Sequence, residues 1–387
     1  MSEDHSWPVS NVAELEAGVD VAAQMLQRYN PALDTWALPK AGEFWDAVTD
    51  AHRDTHTGRD TTVAVIDGGF DTTIPALSGF PVDGDDPGHT AHGSVVALLV
   101  RQVAPEAQLR LFTVTRDGAV DPDLVASAIR RAAADGAQVI NLSLGWKVDL
   151  PEEVLRDVSP SQVVGWRRHL RLPPHPVSDA VAEARAQGVT VVAACGNKAT
   201  SVLIPAVTDD ALAVGFLTVL DLGDGELSGI APTGYSQSRY ADVKLVQPAN
   251  VLGSSFASPL FAGFAATSPY RDTFRAYATA IAIAAVASDY MIGWSGTRWN
   301  DAAATIDDWF KQALLALPHR HLPAVGPCHT CAVLAVPAYL NWGLWKLRWS
   351  DLDGAEELFR AVTVFAPSNA KAKANLAVTL ATKAALT

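Results

Sequence analysis

Cysteine is scarce, with three in 387 residues, at positions 195, 328 and 331. So few exclude a disulfide framework and fit a reducing compartment. Basic residues are outnumbered, 29 Lys and Arg against 42 Asp and Glu, for a net charge of −13. That balance argues against a nucleic-acid partner. Long apolar runs are missing too. The most apolar segment, Ala276 to Ser288, is bounded by Arg275 and Asp289 and is too short to span a bilayer; it reads as a buried helix. The opening residues Met1-Ser2-Glu3-Asp4-His5 carry no basic or apolar targeting pattern, so no signal peptide and no membrane partner are expected, and the location expected is cytoplasmic. What is present is a globular composition, 49% hydrophobic, in a chain long enough for one large α/β domain and a smaller one.

Three regions follow from pattern. Residues 1–58 predict helices around Val12–Tyr29 and Ala41–His52, an N-terminal extension that packs on the core or serves as a short pro-segment. Residues 59–268 alternate strand and helix. Strands are predicted at Thr61–Ile66, Leu109–Val114, Gln138–Ser143, Thr190–Ala194 and Ala211–Phe216, with helices at Asp121–Ala134 and Val177–Gln187. Continuously apolar strands separated by helices imply a parallel sheet covered on both faces, an α/β fold. Ligand sites in such sheets lie beyond the carboxyl ends of the strands. Residues 269–387 read as helical to the end.

Residues with chemistry sit at those strand ends and at helix starts. Asp67 closes the first strand ahead of Gly68-Gly69. His92 opens the helical run Gly93-Ser94-Val95-Val96-Ala97. In Gly253-Ser254-Ser255-Phe256-Ala257-Ser258-Pro259, a tight turn feeds an apolar helix with Ser255 at its start and Pro259 expected in the first turn. A hydroxyl there faces backbone N–H groups and the positive end of the helix dipole. Asp, His and Ser in this order match one of the chain orders of a hydrolytic triad. Serine needs a neutral imidazole to take its proton, and the imidazole needs a carboxylate to hold its tautomer. Alone, each residue also suits a turn or a cap; together they specify a site. Asn197, at the break of the strand Val191–Cys195, adds an amide able to donate to an oxyanion.

These stretches resemble the subtilisin-like serine proteases, the subtilase family. Ala64-Val65-Ile66-Asp67-Gly68-Gly69, His92-Gly93-Ser94-Val95-Val96-Ala97 and Gly253–Pro259 are similar to its Asp, His and Ser motifs. Pro205-Ala206 and Ala211–Gly215 follow in the family's order. The resemblance runs from about residue 60 to 268 and implies a subtilisin-like three-layer fold, a parallel sheet with helices on both faces, plus an all-α C-terminal region. It implies that Asp67 orients, His92 is general base and then acid, Ser255 is the nucleophile, and Asn197 with the Ser255 N–H holds the oxyanion. It further implies a peptide or protein substrate, bound as an added strand beside Ser143, Leu144 and Gly145, with Ala193, Ala194 and Gly196 as the facing wall. No cofactor or catalytic metal is implied. His89 is the alternative base; His92 is preferred because it precedes the Gly-small-apolar helix start. The sequence departs from the family at Gly68, where Ser or Thr is usual, at Ser254 for Thr, and at Phe256 for Met. None of these removes a catalytic atom, and the rival expectation is an inert peptide-binding module that keeps the cleft.

Three features lie outside that core. Lys147 to Pro176 lengthens the connection after the substrate-pairing strand and reads either as a gate over the cleft or as a surface helix. Asp83-Gly84-Asp85-Asp86 is acidic but lacks a regular calcium-ligand spacing. His319, His321, Cys328 and Cys331 offer four ligands for zinc, or a loop with two thiols. In the C-terminal region Ala355-Glu356-Glu357-Leu358-Phe359, Gly343, Pro367 and Asn375–Leu380 resemble a short tetratricopeptide-like array. That implies a regulatory protein partner docked through these helices, or helices that only cap the protease.

Overall fold

Val63-Ala64-Val65-Ile66 has no polar side chain to present to water, and the chain buries all four in the middle of a sheet. The computed structural model describes residues 9–15, 19–36, 48–49, 52, 56–84, 90–149, 172–197, 201–220, 229–231, 243–247, 253–267, 307–308, 310–311 and 329–386. Contacts divide the chain into two units. The first comprises Met1–Pro39, His56–Asp157 and Gly165–Asp272; the second comprises Lys40–Thr55, Val158–Val164 and Thr273–Thr387.

In the first unit the order is β1 (Val9–Leu15), α1 (Val19–Arg28), β2 (Tyr29–Asn30), β3 (Thr35–Trp36), β4 (Thr62–Asp67), β5 (Val82–Asp83), α2 (Thr90–Val103), β6 (Gln108–Thr113), β7 (Thr115–Arg116) and β8 (Ala119–Val120). It continues with α3 (Pro122–Ala134), β9 (Val139–Leu142), β10 (Leu144–Asp149), α4 (Pro176–Ala186), β11 (Thr190–Ala194), β12 (Ser201–Ile204), β13 (Ala211–Leu220), β14 (Gly229–Ala231), β15 (Val243–Gln247) and α5 (Ser254–Thr267). Among the described residues the main sheet has eight strands, ordered β14-β13-β11-β9-β4-β6-β5, with β15 also on β13. Its centre is parallel, from β13 through β11, β9 and β4 to β6.

Strand alternation assigns the two faces. Ala64, Ile66, Ile140, Leu142, Val191 and Ala193 share one core with α3 and α4. The alternate residues turn to the opposite face, where α2 and α5 pack on each other and on the sheet. This is an α/β architecture, with helices on both sides of a largely parallel sheet. Asp121 caps α3, accepting from the N–H groups of Asp123 and Leu124, where the sequence predicted a helix start.

Two expectations need correction. Val12–Tyr29 is not one helix. Val9–Leu15 is a strand, and α1 begins only at Val19. Val9–Leu15 extends because β10 supplies backbone partners that local sequence does not reveal. Pro259 is not in the first turn. The helix starts at Ser254, so the proline is its sixth residue.

A second, smaller sheet has the order β1-β10-β12, antiparallel throughout. The predicted strand Gln138–Ser143 ends at Leu142, and Ser143 stands between β9 of the main sheet and β10 of the small one.

Among the described residues the second unit contributes three helices, α6 (His329–Arg348), α7 (Leu352–Phe365) and α8 (Ala370–Leu386). Ala355, Phe359 and Val362 put one buried stripe on α7. The Phe359 ring lies where a Cβ on Gly343 would stand, 2.4 Å away, so α6 needs a glycine there. Asp351 caps α7 through the N–H of Gly354. No helix among the described residues is long and apolar enough to cross a membrane.

Candidate active site

Three elements carry the three candidate side chains. Asp67 is the last residue of β4, His92 lies in the first turn of α2, and Ser255 is the second residue of α5. All three are fully buried. The imidazole Nδ1 of His92 is 2.9 Å from Asp67 Oδ1 and 3.0 Å from Oδ2. A carboxylate on Nδ1 selects the tautomer with its proton there and leaves Nε2 as the basic nitrogen. Asp67 Oδ1 also accepts the N–H of Gly68, at 2.7 Å. Gly93 makes the close approach of α2 to β4 workable: a Cβ there would stand 2.3 Å from Gly69 O and 3.0 Å from the Asp67 Cβ.

The helices bearing His92 and Ser255 pack directly on each other. Gly263 lets them close, since its Cβ would meet Val100 O at 2.7 Å and the Val103 Cβ at 2.8 Å. At the site end, the ring of Phe256 lies 5.7 Å from the His92 ring, centroid to centroid. The imidazole thus sits beside the residue that follows Ser255. At the other end, Thr61 Oγ1 donates to Ala266 O at 3.0 Å, tying the foot of β4 to the last turn of α5.

Ser255 is fastened by buried polar groups, of which Ser143 was expected in the sequence for substrate binding and Asn141 and Ser258 were not singled out. Pro259 has no N–H, so the carbonyl of Ser255 has no i+4 donor. Ser143 Oγ supplies one at 2.8 Å. In return the Ser255 hydroxyl donates to Ser143 O at 3.2 Å. Behind them Asn141 Nδ2 donates to Ser143 Oγ at 3.0 Å, and Ser258 Oγ donates to Asn141 Oδ1 at 2.7 Å. The signal was there to read: a proline four residues after the candidate nucleophile leaves a buried carbonyl in need of a donor.

Asn197 is held by its oxygen. Its Oδ1 accepts the N–H of Ser254 at 2.9 Å, so the donor end, Nδ2, is directed away from that bond. The N–H of Gly196 donates to Ser254 Oγ at 3.1 Å, which docks the end of β11 on the start of α5. Gly253, at φ +140°, makes the turn into the helix and lies against the Asn197 amide. The Ser255 N–H belongs to the first helical turn, whose donors have no carbonyl inside the helix. This set offers a carboxylate-anchored base, a hydroxyl at a helix N-terminus and an amide beside it.

The remaining site candidates are partly redistributed. Ala193 and Ala194 lie in β11, buried between β9 and β13. Leu144 and Gly145 lie in β10, where Gly145 is pressed on β12; a Cβ would come within 2.3 Å of Ile204 O. The edge beside Leu144 and Gly145, expected to stand open for substrate, is taken by β1. His89, Asp85, Asp86, His319, His321, Cys328 and residues 150–171 of the proposed gate lie outside the described residues. Cys331 is in α6. Asp83 directs its carboxylate to Arg131 at 2.6 Å and Arg110 at 3.5 Å rather than to a cation site. Among the described residues no group of three or more His, Cys, Asp or Glu could hold a metal.

The chain is similar to known proteins. A model of the Subtilase family matches residues 58–269. Subtilisin BL of Lederbergia lenta is 33% identical over 240 residues, covering 56% of this chain and 78% of that protein. Subtilisin Savinase, also of Lederbergia lenta, is 32% identical over 240 residues with the same coverage. Among solved structures, the Prenylagaramide maturation protease PagA is similar at 20% identity and a TM-score of 0.43, over 61% of this chain and 86% of that one.

Proposed function

The chain belongs to the subtilase family and is a serine endopeptidase, and from that premise we propose that Asp67, His92 and Ser255 carry the hydrolysis. The observation that carries the assignment is the two-pronged contact of buried Asp67 with His92 Nδ1, on the helix packed against the one that begins with Ser255.

In this reading the Ser255 hydroxyl turns from Ser143 O toward His92 Nε2, which takes its proton as Oγ attacks the scissile carbonyl. The imidazolium is stabilised by Asp67 and returns the proton to the leaving amine. Asn197 Nδ2 and the Ser255 N–H bond the oxygen as it becomes negative, each such donor contributing about 3–4 kcal/mol to the barrier reduction. Water then attacks the acyl-serine with His92 again as base, and the carboxylic acid leaves. Ser143, Leu144 and Gly145 line one side of the bound peptide, and Ala193, Ala194 and Gly196 the other.

The rest of the chain fits selective processing rather than bulk digestion. Residues 59–268 form the peptidase domain, behind an extension at 1–58. The helices of 269–387 act as a tetratricopeptide-like docking or regulatory surface for a partner protein; the tight Gly343–Phe359 packing supports that reading. The setting proposed is cytoplasmic. Turnover of a fluorogenic peptide library by the full chain tests the assignment. Ser255→Ala should lower kcat by about 10⁴-fold or more. Equal turnover in the two proteins would refute it, and no turnover by the parent would favour the inert binding module.

A further inference from the structure

Asp67 is followed by Gly68-Gly69, and a glycine pair leaves a backbone unusually free to turn. That freedom bears on the site. Among the described residues the Asp67 carboxylate has two partners, His92 Nδ1 and the N–H of Gly68. With no side chain, Gly68 supports the carboxylate through its backbone alone. The direction of that one N–H therefore helps to set how the carboxylate faces the imidazole.

Three neighbours restrain the turn. The Val114 N–H donates to Asp67 O at 3.1 Å. That carbonyl shares a planar peptide with the Gly68 N–H, so holding the one aims the other. Two residues on, the Gly69 carbonyl is pressed on α2, where a Cβ on Gly93 would stand 2.3 Å from it. Between them lies the buried Gly68, whose carbonyl accepts the Thr115 hydroxyl at 3.2 Å. Of the three, only Thr115 acts through a side chain. It is itself held from outside the turn, as the first residue of β7, paired with Val120 of β8. Asp117 and Gly118, both at positive φ, close that hairpin. Thr115 is 4% exposed, so its hydroxyl and the Gly68 carbonyl satisfy each other away from water.

We propose that Thr115 is a positioning residue for the Asp67–His92 pair. Its hydroxyl fixes the Gly68 backbone, and through the Gly68 N–H it fixes the carboxylate that orients the imidazole. It supplies from a neighbouring hairpin a restraint that Gly68 cannot supply itself. The proposal rests on the reading of Asp67, His92 and Ser255 as the triad, but the geometry it concerns is measurable without turnover.

The test compares three full chains: the parent, Thr115→Val and Thr115→Ser. Valine keeps the shape and loses the hydroxyl; serine keeps the hydroxyl and loses the methyl. The first readout is the low-field proton NMR resonance of His92 Nδ1–H, assigned by its loss in His92→Ala, which reports the bond to Asp67. It should stand alike in the parent and in Thr115→Ser, and be shifted or exchange-broadened in Thr115→Val. The second readout is turnover of the fluorogenic peptides. Thr115→Val should lower kcat about tenfold with KM little changed, and Thr115→Ser should bring it back near the parental value. Thr115→Ala takes the place of Thr115→Val if that variant does not fold. An unaltered resonance or an unaltered kcat in the hydroxyl-free variant would overturn the proposal, as would a parent with no such resonance. Equal losses in the valine and serine variants would also overturn it, because the methyl and not the hydroxyl would then matter. Turnover that survives Ser255→Ala, or is absent from every chain, would instead refute the triad, and the NMR comparison alone would then decide for or against Thr115.

Discussion

A proline cannot supply the N–H that a helix carbonyl four residues earlier needs, and in α5 that carbonyl belongs to Ser255. Ser143 Oγ fills the gap and joins Ser255 to Asn141 and Ser258 in one buried set. Ser143→Ala should therefore cost more than a surface hydroxyl. It strands the Ser255 carbonyl and the Asn141 amide, at about 1–3 kcal/mol for each group left unsatisfied. Denaturant melts would show this loss, and kcat should fall further than KM rises because the nucleophile loses its anchor. A variant with unchanged midpoint and unchanged kcat would show the bonds to be dispensable. Asp67, His92 and Ser255 were legible in the sequence because each ends or opens an element beside a glycine or a small residue. Asn141 and Ser258 were not, because their partnership depends on how β9 and α5 lie against each other. No local pattern encodes that.

Elements position what residues perform, and the crossing of α2 on α5 sets where His92 stands relative to Ser255. Gly263→Ala would place a methyl 2.7 Å from Val100 O and 2.8 Å from the Val103 Cβ, with backbone on one side and no flexible side chain to yield. Overpacking of this kind costs about 1–3 kcal/mol. The shift also moves the imidazole, and about 1 Å of misplacement can cost 10²-fold in rate. Loss of turnover well beyond the loss of stability, measured on the same preparation, is the expected result.

A second element depends on pH. His175 begins α4 with its Nδ1 accepting the Val177 N–H at 3.3 Å, and it packs 4.9 Å from the Trp146 ring. Burial holds its pKa below the ordinary value near 6.5, against the upward pull of Asp179 and Asp123. The unfolded chain therefore takes up this proton at higher pH than the folded one. The stabilisation is full above about pH 6.5 and is lost as pH falls through the folded value, where protonated Nδ1 can no longer cap. His175→Asn keeps a capping oxygen and should flatten the fall of Tm between pH 7 and 5; an unaltered slope would remove His175 from the account. The parallel strands and α3 and α4 were readable from apolar runs and caps. β1 was not. Val9–Leu15 carries no strand signature of its own, and its partner lies some 130 positions away in sequence, so only pairing gives it a form.

At the scale of the molecule, two units share one chain, and the proposed chemistry belongs to the first. Asp67, His92 and Ser255 come from segments far apart in sequence, so their cooperation is a property of the folded chain and vanishes with it. Ser255 is fully buried, so in the proposed chemistry hydroxyl reactivity depends on fold and on access together. The most direct test is reaction with a fluorophosphonate, read by intact mass and peptide mapping, on the native chain, His92→Ala and urea-unfolded chain. One adduct on Ser255 is expected in the native chain, and none in His92→Ala or in the unfolded chain. No adduct in the native chain, or equal labelling with and without His92, would contradict the triad.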